Sequence, residues 1–185
     1  MSSIRGVVFH SRFDYIHKHL DPTAFKKAGE SISPQARQVI FDQVFMVNNY
    51  PFSILKEFDQ LLPKISILPK EELFREIGRE FAYTILDRYF FNYIEAQKPH
   101  KFLSQFQKLY GNLWGFGEYE ARAEEDQKAQ ITFAYEEEVH QEYTWFMEEF
   151  FKTAIEICNG KEVTLQPISE NSANEDSQVY SISWK

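Results

Sequence analysis

His10, Asp14 and His17 stand at i, i+4 and i+7, with His19 close behind. On a helix that spacing gathers imidazoles and a carboxylate on one face, an arrangement that can ligate a metal. The same spacing is ordinary on a solvated helix face, and it is read here as that. Glu137-Glu138-Val139-His140 contains one Glu-x-x-His. A di-iron bundle needs that pair twice, plus two more inward glutamates, and no second copy exists. The acids at 136–138 are expected instead at the start of a helix, where its dipole favours them. Cys158 is the only cysteine, which excludes an internal disulfide and a multi-cysteine zinc or iron–sulfur site. It falls at the end of the same helix, beside Glu156, where neither dipole nor neighbour favours a thiolate. A half-buried structural cysteine is expected. There is no Gly-x-Ser-x-Gly, no phosphate loop and no Gly-x-Gly-x-x-Gly, and Gly115-Phe116-Gly117 lacks the remaining context. Glu118, Glu120, Glu124, Glu125 and Asp126 alternate with apolar residues as on a solvated strand face, and no acid/base pair is singled out. These residues predict no enzyme, no metal site and no bound cofactor.

Eighteen Phe, ten Tyr and three Trp stand against seven Gly in 185 residues. Rings carry large apolar area and rigid shape. Phe81, Ile85, Tyr89, Phe102, Phe106, Tyr110 and Trp114 are positioned to surround a cavity between two helices and a sheet. Taken residue by residue, plain core packing is the favoured reading of each. Twenty basic and 28 acidic residues give a net charge of −8, which argues against nonspecific binding to nucleic acid or anionic lipid. No apolar run approaches the roughly 18 residues that cross a bilayer, and Val7-Val8-Phe9 is too short for a signal-peptide core. A cytoplasmic protein is the expectation.

The elements that would position these residues follow from periodicity. Ile4–His10 reads as a lead-in broken at Gly6, with Ser11 capping a helix over Arg12–Leu20. Asp21-Pro22 and Ser33-Pro34 start two more helices, the second carrying Val39, Ile40, Val44 and Phe45. Asn48–Pro51 reads as a turn before a helix over Phe52–Leu62. Pro69-Lys70-Glu71-Glu72 opens the clearest helix, with Leu73, Phe74, Ile77, Phe81, Ile85, Leu86, Tyr89 and Phe90 on its stripe. Gly78 inside it predicts close packing against a neighbour. Lys101–Asn112 follows. Alternation over Phe116–Ala123 and Ile131–Tyr135 predicts a hairpin turning near residues 124–127. A long helix over Val139–Cys158 ends at Asn159-Gly160. Val163–Pro167 and Val179–Trp184 form a last hairpin around a polar loop, Glu170–Ser177. The reading is one α+β domain over 1–185: a mainly helical part, 1–113, then strand-strand-helix-strand-strand over 115–185. The long helix lies across a four-stranded antiparallel sheet.

Three stretches resemble a known superfamily: Arg5-Gly6-Val7-Val8-Phe9, the run Leu73–Phe81 with its Gly-x-x-Phe, and Trp145 through Asn159-Gly160-Lys161 to Ser183-Trp184. It comprises haem-nitric-oxide-binding domains, vinyl-reductase-type small-molecule-binding domains and small subunits of transport-protein-particle tethers, and the chain is most similar to an uncharacterised bacterial paralogous family within it. The resemblance implies a cavity between helical part and sheet, holding haem in one branch and a fatty-acyl chain or other hydrophobic ligand in others. Carried over, it places His100 near the haem axial position. The propionate-gripping Tyr-x-Ser-x-Arg motif maps to Tyr135, with Glu137 in place of Ser and Val139 in place of Arg. An acid facing propionates repels them. The C-terminal cysteines of the vinyl-reductase branch are missing. The implied function is a non-enzymatic binding or signalling module that encloses an apolar small molecule or acyl chain. A protein-interaction domain, often a homodimer, is the alternative, and a haem gas sensor through His100 a further one.

Overall fold

The computed structural model describes residues 2–135, 138–168 and 177–185. A short strand β1 (Ser3–Arg5) leads directly into α1 (Gly6–His19). Gly6 begins this helix and does not break it; the chain passes so close to the main-chain oxygen of Phe45 that a Cβ there would overlap it. Ser11 is correspondingly no cap. It lies inside α1 and its hydroxyl donates back to the Val8 carbonyl at 2.7 Å. Asp21 caps α2 (Pro22–Ala28) and Ser33 caps α3 (Pro34–Phe41), each with Pro in the first turn as expected. α3 stops at Phe41, so Val44 and Phe45 belong to the following loop. Residues 49–51 form a strand where a turn was expected: β2 (Asn49–Pro51) pairs antiparallel with β1, Ile4 opposite Tyr50.

α4 (Phe52–Asp59), α5 (Lys70–Arg88), α6 (Pro99–Leu113) and α7 (Gln141–Ile157) carry the main apolar faces. α5 and α7 pack along their lengths at Gly78, where any side chain would strike the Phe146 carbonyl oxygen. This is the close approach that an interior helical glycine signals. α7 ends in a left-handed Asn159 (φ 66), and Gly160 donates to the Ile155 carbonyl at 2.9 Å.

The second sheet has the order β3-β4-β6-β5, all antiparallel: β3 (Glu118–Glu125), β4 (Lys128–Ala134), β5 (Thr164–Pro167) and β6 (Ser177–Ser183). Tyr119, Ala129, Ile131, Phe133, Tyr180 and Ile182 are buried on one face, while the alternate residues are mostly polar and less buried. α6 lies against β3, and α7 adds Phe146, Phe150 and Phe151 to the same core. The architecture is α+β with a four-stranded antiparallel sheet, as the alternation and helical stripes predict.

Candidate functional site

An ion pair and a histidine are buried where the helices meet the start of α7. Arg12 of α1 and Asp59 of α4 are both fully buried. The Arg12 guanidinium grips the carboxylate in parallel, Nε to Oδ1 at 2.9 Å and Nη2 to Oδ2 at 3.0 Å. His140, just before α7, donates Nε2–H to Asp59 Oδ2 at 2.9 Å. The same guanidinium lies 4.1 Å from the ring centre of Phe146. Burial opposes ionisation of Asp59, but the Arg12 charge and the hydrogen bonds of His140 and Arg12 outweigh it and hold the carboxyl below the usual range. The cluster therefore acts as an ionic bolt through α1, α4 and α7. Composition does not reveal it. Arg12 falls on the buried stripe of Val8, Tyr15 and Ile16, and Asp59 on that of Phe52, Leu55 and Phe58, and a charge on an apolar stripe is the one signal that could have found it. A second bridge ties α5 to α7: nearly buried Glu149 receives Arg79 at 2.5 Å and Lys152 at 3.4 Å, while Arg75 reaches Glu148 at 2.7 Å.

The seven residues grouped by the sequence reading fall into two sets. Phe102, Phe106 and Tyr110 line the inner face of α6, Trp114 follows directly after it, and all four are buried. Phe106 lies 4.8 Å from Phe151, 5.1 Å from Tyr119 and 5.4 Å from Phe150, and Tyr110 stacks on Trp114 at 5.0 Å. Rings at these separations touch and fill the space between α6, α7 and the sheet. The hydroxyls of Tyr110 and Tyr143 approach each other without meeting hydrogen-bond geometry, and Trp114 Nε1 has no partner among the described residues.

Phe81 packs into the same core, its ring 5.4 Å from Phe146 and 5.7 Å from Phe150, and with Ile85 and Tyr89 it also lines a groove of about 190 Å³ between α1 and α5. Val7, Ser11, Phe81 and Ile85 form its buried floor, and half-exposed Tyr89 closes one end, its hydroxyl 4.0 Å from the Met46 sulfur. His10 is on the groove wall and donates Nε2–H to the Val44 carbonyl at 2.7 Å. His19 bonds Glu80, and His17 is exposed. No group of three His, Cys, Asp or Glu side chains converges among the described residues. The Glu-x-x-His pairing at Glu137 lies outside them.

His100 is in the first turn of α6, in a surface cleft of about 580 Å³ that Trp184, Asp126, Asn159 and Lys185 also line. Its Nε2 faces the carbonyls of Glu125 and Asp126 at 2.8 and 3.0 Å, and its ring meets Trp184 edge-on at 4.8 Å. Cys158 reaches the same cleft but is fully buried. Burial pushes its thiol up to about 11, a main-chain hydrogen bond at Glu95 acting the other way. A thiol reagent at neutral pH should leave the folded protein unmodified and label Cys158 only in denaturant. Rapid labelling of the native protein would contradict this burial.

No family model and no curated protein matches the chain. Solved structures do match in shape. The Fe(II) unliganded H-NOX protein from K. algicida aligns with a TM-score of 0.70 at 15% identity, covering 98% of this chain and 97% of that one. A Cs H-NOX variant with 4-cyano-L-phenylalanine gives 0.74 at 10% identity, over 98% and 97%. The IWP-051-bound H-NOX from Shewanella woodyi, in its Fe(II)CO state, gives 0.71 at 15%, over 97% and 94%. The chain has the H-NOX fold, end to end, and the sequence resemblance to the haem-nitric-oxide-binding branch holds at the level of fold.

Proposed function

We propose that this chain is a non-enzymatic, ligand-responsive regulatory module on the H-NOX fold, working without haem. The observation that carries it is the full-length likeness in shape to H-NOX structures. The small molecule it takes is apolar in part and rests against Phe81, Ile85 and Tyr89 in the groove between α1 and α5. Burying a methylene there is worth about 0.8 kcal/mol, so a short apolar body gives useful affinity without a covalent bond. A module without chemistry of its own acts through a partner.

The likeness equally raises the haem-dependent gas sensor, and the residues present do not fit that group. The inward positions of α6 are Phe102, Leu103, Phe106, Leu109, Tyr110 and Leu113, none a ligand through nitrogen. His100 points its Nε2 at main-chain carbonyls on the rim. The buried cation that could meet a propionate, Arg12, is held by Asp59. A macrocycle between α6 and α7 would have to displace Phe106, Phe150 and Phe151 from contact.

Native mass spectrometry of the purified chain, followed by denaturation and analysis of what is released, tests the module. A retained small molecule that raises Tm when added back is the expected result. A chain that retains nothing and melts at one temperature against a broad panel of amphipathic compounds overturns it.

A further inference from the structure

The groove between α1 and α5 is electrically two-ended. Glu80 and Arg88 stand about 12 Å apart along α5 at 1.5 Å per residue, and both line the groove. The Arg88 end is fixed beside the 42–48 loop, because neighbouring Tyr89 touches Met46 and His10 bonds Val44. The opposite end is fixed beside the C-terminus of α1, where Lys18 pairs with Glu80 and His19 hydrogen-bonds it. Asp14, one turn beyond His10 toward that end, also lines the groove. Neither Asp14 nor Arg88 has a side-chain partner among the described residues. Between them lies an apolar floor of Val7, Phe81 and Ile85.

We propose that this groove binds a small zwitterion whose ammonium and carboxylate stand at opposite ends of an apolar body, of the size of a short dipeptide or a linear ω-amino acid. Its ammonium meets Asp14, its carboxylate meets Arg88, and its hydrocarbon lies on Phe81 and Ile85. The volume, about 190 Å³, equals roughly six water volumes at about 30 Å³ each, which suits that size. A plain fatty acid satisfies Arg88 but leaves Asp14 facing hydrocarbon or a second negative charge, and a plain amine fails in the mirror sense. The inference names the ligand class for the module proposed above and rests on that reading.

Calorimetric titration of the full chain with 6-aminohexanoate, glycyl-leucine, hexanoate and hexylamine tests it. Saturable binding of 6-aminohexanoate or the dipeptide is expected, with hexanoate and hexylamine weaker. Asp14→Asn and Arg88→Gln should each weaken zwitterion binding by about tenfold, the loss of one charged hydrogen bond. Both side chains are exposed, so the Tm of the free variants should match that of the parent. Flat titrations with both zwitterions, or equal binding by both variants, overturn the assignment. If the zwitterions fail while native mass spectrometry shows another retained molecule, the groove inference falls and the module stands. If nothing is retained either, both fall.

Discussion

Asp59→Asn is expected to destabilise the fold by about 3–5 kcal/mol, because it leaves the Arg12 guanidinium buried without a counter-charge. Both side chains are fully buried, so water cannot screen what remains, and His140 loses its carboxylate acceptor at the same time. Urea unfolding of parent and variant measures the difference, and a loss under about 1 kcal/mol would contradict the ionic bolt. The double replacement Arg12→Met with Asp59→Leu should recover much of the loss, since removing a whole buried pair is often near neutral. The acid limb supplies a second reading of the same site. The folded carboxyl titrates below its unfolded value of about 3.9. Its contribution is therefore complete above that pH and is lost as pH falls toward the folded value. Parent stability should drop through that window more steeply than that of Asp59→Asn.

Gly78→Ala should also destabilise, against the helix-propensity trend. On an exposed helix face the change would gain about 1 kcal/mol. Here the added carbon meets the main-chain oxygen of Phe146, an atom that can yield only if α5 and α7 separate. Overpacking of this kind costs about 1–3 kcal/mol, and the separation would also stretch the Arg79–Glu149 and Arg75–Glu148 bridges. Thermal unfolding decides the sign. A raised Tm would mean that the helices are not in contact at that point.

Where local periodicity sets the structure, the sequence is readable. The stripe of α5, the long α7 with its Asn159-Gly160 stop, the two hairpins and the buried face of Tyr180 and Ile182 all follow from spacing of 3.6 or 2. The errors have local and distant causes. Ser11 has the chemistry of a cap, yet inside a continuous helix its hydroxyl turns back onto Val8. β1 and β2 are three residues each and pair across more than forty positions, so neither carries a pattern of its own. The Arg12–Asp59–His140 cluster joins residues 47 and 81 apart, a distance no window spans. The aromatic site shows the same boundary. Ring content predicts where apolar area goes, but whether Phe106 and Tyr110 fill or enclose space depends on how closely α6 approaches α7 and the sheet. That approach put four of the seven residues in solid contact and left Phe81, Ile85 and Tyr89 on the α1–α5 groove.

Titration of the reduced, purified chain with haem, followed by carbon monoxide, meets the central claim most directly. With Phe106, Phe150 and Phe151 in contact and no imidazole on the inner face of α6, the spectrum should remain that of unbound haem at every ratio. A saturable Soret band at one haem per chain, shifting on carbon monoxide and abolished by His100→Ala, would contradict it.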